Sequence, residues 1–291
     1  MNIQEFAEQI KKEILQSVPS IKNITVKQML KNNSVRYTGL VFETEGSNLS
    51  PTIYLDSYYE RYQKGQDDIE NIKEQLINMY YDACVEESLD VSFMTDWEKA
   101  KPMVAYKLIN KKMNEERLKN LPYQEVFDLA MIFYLRIEQM NGDVVIQNEH
   151  IERWGIQLED VVAAAKINTP ILCPSKFRSM GEVLAELIDT DLQEDCNCMH
   201  VLSNERNVNG AGAILYPNML EKIGTKLKAD YYVLPSSIHE LIIVPDSDEI
   251  SETKLVGMVR DVNESSVSHD EILGNNIYFY SRSEKKLQMV G

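Results

Sequence analysis

The chain has 291 residues, of which 44% are apolar and 26% charged, with 30 basic against 46 acidic side chains and a formal net charge of −16. That apolar share excludes wholesale disorder, and the length exceeds one average domain, so two modules or one large unit are expected. The acidic balance repels phosphate backbones and anionic lipid, which argues against a nucleic-acid or membrane-surface partner. The nearest thing to a basic patch, Lys99 to Lys112, is interleaved with Glu98, Glu115 and Glu116.

In chain order, Ile3, Phe6, Ile10, Ile14 and Val18 recur at a helical period, and Pro19 ends the helix. Two strands follow, around Ile24–Leu30 and Val35–Phe42, split by Lys31-Asn32-Asn33-Ser34, a turn in which asparagine tolerates positive φ. Gly46–Pro51 reads as a loop and Thr52–Leu55 as a short strand. From Asp56 the pattern is helical to about Ser88, divided at Gly65, with Asp56 or Ser57 as the expected cap. Pro102–Ile109 reads as a strand and Met113–Leu118 as a helix. The apolar run Phe127–Ile137 suits a buried strand, because the turn signal Asn141-Gly142-Asp143 leads directly into Val144-Val145-Ile146. Two helices fill His150–Lys166, broken at Gly155.

Pro170 and Pro174 bracket a stiff connection, so the expected modules are 1–170 and 171–291. Beyond it come a helix near Ser179–Ile188, an acidic stretch Asp189–Asp195, a strand from Cys198 to Leu202, a turn at Asn209-Gly210 and a strand Ala213–Tyr216. A helix Met219–Leu227 precedes two strands, Asp230–Leu234 and Leu241–Asp246. Helix Ser251–Asn263 and a final pair, Ile277–Tyr280 and Leu287–Val290, complete the chain. Helices and strand pairs alternate without the even β-α-β rhythm of a parallel sheet. The predicted class is α+β, with mixed, largely antiparallel sheets, packed helices and two modules.

The densest group of reactive side chains is Ser236, Ser237, His239 and Glu240, on a polar corner between two strands. A serine hydroxyl needs a base in the transition state, and an imidazole steadied by a carboxylate can serve. Against this, a strand would point His239 and Glu240 to opposite faces, and no Gly-x-Ser-x-Gly elbow accompanies them. The plainer expectation is a turn whose hydroxyls bond backbone amides. A second group, Cys196, Cys198 and His200, would alternate onto one strand face, where His239 or Cys173 could complete a zinc site. The spacing lacks a Cys-x-x-Cys knuckle, so a short segment with reduced cysteines is the preferred reading.

The tyrosines of Tyr54–Tyr62 fit the half-buried flank of a helix start better than a recognition surface. Asn209–Ala213 is too short for a phosphate loop and has no lysine. Sparse cysteines, an amino terminus without a secretory pattern and apolar runs too short to span a bilayer point to a cytoplasmic protein without cofactor or metal.

Several segments together resemble a bacterial family of unknown function, number 5688 among the domains of unknown function, found mainly in Gram-positive gut bacteria. They are Pro51–Gly65, Val104–Asn110, Asn148–Trp154, Ala164–Pro170, Met199–Asn204, Leu234–Asp246 and Asn275–Tyr280. A more distant likeness, through Trp154-Gly155-Ile156 and Ala164–Thr169, is to the uncharacterised YtpQ-like family. Neither resemblance implies an activity or a catalytic residue. The expected function is a non-catalytic module that binds another protein or a small ligand, with a hydrolase at Ser236, Ser237, His239 and Glu240 as the alternative.

Overall fold

The computed structural model describes residues 1–43, 50–83, 90–140, 142–188, 199–247 and 251–290. The chain forms two compact units, Met1–Lys31 with Val35–Val91, and Asn32–Ser34 with Ser92–Gly291.

The first unit opens with α1 (Ile3–Ser17), whose first turn is closed by two reciprocal bonds. Glu5 N–H donates to Asn2 Oδ1, and Asn2 N–H to Glu5 Oε2, each at 2.9 Å. Its buried stripe of Phe6, Ala7, Ile10 and Ile14 packs over an antiparallel sheet in the order β1 (Asn23–Leu30), β2 (Arg36–Glu43), β3 (Thr52–Tyr54). Helices α2 (Asp56–Gln63) and α3 (Ile69–Ala83) follow, separated at Gly65, which takes φ +64. The cap of α2 differs from expectation. Leu55 occupies that position without a side-chain bond, and the Asp56 carboxylate instead accepts Thr38 N–H at 2.8 Å, tying the helix start to β2. Tyr59 and Tyr62 lean on Phe6, with ring centroids 5.4 and 5.2 Å away, as half-buried helix-flank residues. The expected loop Gly46–Pro51 lies largely outside the described residues.

In the second unit, a four-stranded antiparallel sheet is built on β6 (Leu129–Ile137), every residue of which is buried. On one side it pairs with β4 (Val104–Asn110) and on the other with β5 (Tyr123–Val126); β7 (Gly142–Val145) also pairs with it. Two-sided cover explains the continuous apolar run. Short helices α4 (Trp97–Ala100) and α5 (Glu115–Leu118) flank β4 in sequence. Next come α6 (Asn148–Trp154), closed by Gly155 at φ +66, and α7 (Leu158–Leu172). The expected boundary at 170/171 falls in the last turn of α7, inside this unit. That turn is held on both sides of Pro170. Thr169 Oγ1 accepts Tyr106 N–H at 3.0 Å, and the Tyr216 hydroxyl donates to Cys173 O at 2.6 Å.

The remaining elements are β8 (Ser175–Ser179), α8 (Met180–Ile188), β9 (His200–Asn204), α9 (Met219–Leu227), β10 (Tyr231–Leu234), β11 (Leu241–Pro245), α10 (Glu252–Ser265), β12 (Tyr278–Ser281) and β13 (Lys286–Met289). Their strands form a six-stranded antiparallel sheet in the order β13-β12-β10-β11-β9-β8. One face carries Tyr232, Leu234, Val244 and Ile277 against Leu255 and Val259 of α10. Residues Gly210–Leu215, expected to end in a strand, form a 3-10 helix entered through Asn209 in the left-handed region. The class is α+β. Among the described residues no helix is long and apolar enough to cross a membrane.

Candidate functional site

Antiparallel pairing of β10 with β11, from Tyr231↔Pro245 to Leu234↔Ile242, leaves residues 235–240 as the connection. His239 and Glu240 therefore lie on this polar corner, immediately before β11. Ser237 organises the turn. Its hydroxyl donates to Glu240 Oε1 and accepts His239 N–H, each at 3.0 Å. The imidazole turns elsewhere: His239 Nδ1 accepts Asn209 N–H at 3.2 Å, and Nε2 lies 3.4 Å from Glu271 Oε1. Serine and imidazole thus face separate partners. Among the described residues no hydrogen bond joins the His239 ring to Ser236 or Ser237, as a nucleophile and its base would require.

The corner's backbone is held as firmly. Ser203 Oγ donates to His239 O at 2.7 Å, Ala211 N–H to Ile238 O at 3.2 Å, and Ile238 N–H to Glu271 O at 2.9 Å. Gly210 packs so tightly that a Cβ there would sit 2.5 Å from His239 O and 2.7 Å from Asn204 N. Asn209, Ser203 and Glu271 are partners of the corner that no local pattern marks, since Ser203 sits on β9 and the other two on separate loops.

Glu271 belongs to an irregular loop whose carbonyls are all captured from outside it. Asn33 Nδ2 donates to His269 O at 2.8 Å and Ile272 O at 2.7 Å, and Asn32 Nδ2 to Asp270 O at 2.7 Å. Ile238 N–H takes Glu271 O, Asn110 Nδ2 takes Leu273 O at 3.0 Å, and Asn263 Nδ2 takes Gly274 O at 2.8 Å. A loop secured at every carbonyl from 269 to 274 is preformed. The only sequence signal was a set of scattered asparagines.

Beside the corner lies a cleft of about 280 Å³ between α8 and α10, over β10 and β11. Met180, Met199, Ile242, Met258 and Val262 contribute apolar walls, and Ser236 is the single polar side chain among the described lining residues. Met180 N–H donates to Met199 O at 2.8 Å, which sets these two methionines side by side. Ser179 starts α8 here: its backbone N–H donates to Glu182 Oε2 at 2.6 Å, and its hydroxyl accepts Glu182 N–H at 3.2 Å.

Of the cysteine group, Cys196 and Cys198 lie outside the described residues. His200 opens β9 and stacks on Phe177 with centroids 5.2 Å apart; its Nδ1 is enclosed without a hydrogen-bond partner. Burial, helped by the Lys226 charge, holds this imidazole below its ordinary pKa. Cys173 is buried with its Sγ 3.6 Å from the Tyr134 hydroxyl. Among the described residues no three His, Cys, Asp or Glu side chains gather as metal ligands.

Residues 3–282 match the model of a family described as a family of unknown function (DUF5688), and the chain belongs to that family. No curated protein and no solved structure matches it.

Proposed function

We propose that this family member is a non-catalytic module that binds a small apolar molecule in the cleft between α8 and α10. One observation carries the reading: a cleft of about 280 Å³ whose described lining is apolar except for Ser236. Ligand sites of this kind combine apolar walls with a few polar groups that fix orientation. Methionine suits such walls because its unbranched thioether adapts to different shapes. Hydrolysis at Ser236, Ser237, His239 and Glu240 has less support, because His239 Nδ1 accepts Asn209 N–H and, among the described residues, no hydrogen bond joins the ring to either serine. A cytoplasmic location, without nucleic acid as partner, is in keeping with the sparse cysteines and the net charge of −16.

The test is a titration of the full chain with hexanol, octanol and decanol, followed by the NMR shifts of the methionine methyls. Saturable shifts at Met180, Met199 and Met258 are expected, and Met258→Trp, which fills the cleft, should abolish them while the fold is retained. Shifts that never saturate, or that survive in Met258→Trp, would overturn the reading.

A further inference from the structure

A second cavity, of about 310 Å³, lies against a different face of α10 from the apolar cleft, and its lining is mixed: the polar Arg260, Asn263, Glu264, His269 and Asn275 with the apolar Val267 and Ile272. His269 comes from the loop whose carbonyls are clamped, so this wall is preformed and binding need not pay to order it. Asn263 is only 4% exposed. Its Nδ2 donates to Gly274 O and Asn275 Oδ1, both at 2.8 Å, while its Oδ1 is enclosed and has no hydrogen-bond partner. An enclosed acceptor without a donor costs about 1–3 kcal/mol. The Asn263 side chain therefore lacks one donor, at an oxygen that solvent does not reach.

The rim supplies charge of both signs. Arg260 and Glu264 are exposed and one helical turn apart, hence neighbours on the same face of α10. We propose that this cavity binds a free α-amino acid. Its carboxylate would meet the Arg260 guanidinium and the His269 imidazole, and its ammonium would meet the Glu264 carboxylate. A zwitterion matches a lining with one fixed charge of each sign and, being neutral overall, is not repelled by a protein of net charge −16. A simple anion would meet that field, and a simple cation would meet Arg260. A cavity of about 310 Å³ is at the small end of ligand sites, which suits a ligand of this class.

The experiment mixes the full chain with an equimolar pool of the standard free L-amino acids, reads saturation-transfer NMR, and then titrates whichever responds. Saturable binding is expected, weakened about tenfold or more by Arg260→Gln and by Glu264→Gln. Both side chains are exposed, so the melting temperature should hold in each variant. The N-acetyl derivative, which has no ammonium, should bind correspondingly less well. The proposal is overturned if nothing saturates up to about 10 mM, far into the weak-binding range. It is equally overturned if either variant keeps wild-type affinity, or if the acetylated compound binds as tightly as the free one.

Discussion

Asn33 and Asn114, 81 positions apart and both buried, exchange two hydrogen bonds of 2.9 Å: Asn33 N–H to Asn114 Oδ1, and Asn114 Nδ2 to Asn33 Oδ1. With its own Nδ2 given to His269 O and Ile272 O, Asn33 has every side-chain polar atom satisfied. It does so at φ 54, a conformation that asparagine tolerates. Asn33→Gly keeps that backbone and removes the side-chain bonds. It should cost about 2–4 kcal/mol in urea unfolding, since each orphaned buried partner costs about 1–3 kcal/mol. Asn33→Ala should cost roughly 1 kcal/mol more through backbone strain. A loss for Asn33→Gly below about 1 kcal/mol, the net worth of one bond, would show that the loop is held by other means.

Gly210→Ala tests how tightly the corner is packed. The new methyl would press on backbone atoms, His239 O and Asn204 N, which cannot swing aside as a side chain could. A loss of about 3 kcal/mol, at the upper end for overpacking, is expected in denaturant unfolding. Adding Ser203→Gly should not restore it, because the backbone contacts remain. Full rescue by that second change would contradict the geometry.

Leu241 opens β11 opposite Leu202 and is 2% exposed. Leu241→Asp buries a charge without a counter-ion, at a cost on the order of 3–5 kcal/mol. An unchanged melting temperature would refute the placement of this strand in the sheet core.

His150 gives the stability a pH dependence. Its Nδ1 accepts Gln147 N–H at 2.9 Å, and burial followed by the nearby Arg153 charge lowers its pKa from the ordinary 6.5. Unfolded chains then take up a proton that the folded state refuses, so the unfolded state gains as pH falls. His150's contribution is complete above 6.5 and is lost as pH drops through the depressed folded value. Chemical denaturation between pH 7.5 and 5 should show falling stability in the wild type and a shallower fall in His150→Gln. Equal slopes would assign the dependence to other groups.

Local pattern was enough for much of the architecture. The period of Ile3 to Val18 and the run at Met219–Leu227 fixed helices to within a residue or two, because one apolar face meets one core. The Leu129–Ile137 strand was legible through its turn signal, although its composition alone suits a helix equally. Partners distant in sequence were not legible. β5 was missed because Tyr123–Val126 is polar and only half buried, and β8 because Ser175–Ser179 is an edge strand with no alternating pattern. Ala213–Tyr216 looked like a strand, yet Gly210–Leu215 forms a 3-10 helix entered through Asn209 in the left-handed region. Pro170 looked like a linker, but tertiary bonds at Thr169 and Cys173 keep the helix in place around it. At the corner, the sequence identified the residues but not their assignment: Glu240 serves Ser237, whereas His239 turns to Asn209 and Glu271.

Ser236 and Ser237 share a rigid joint with an imidazole that serves neither of them. Incubation of the full chain with a fluorophosphonate probe, read by intact mass and peptide mapping, tests this directly. Ser236 and Ser237 should stay unmodified under conditions that label a serine hydrolase to completion. A stoichiometric adduct on either serine, abolished by His239→Ala, would contradict it.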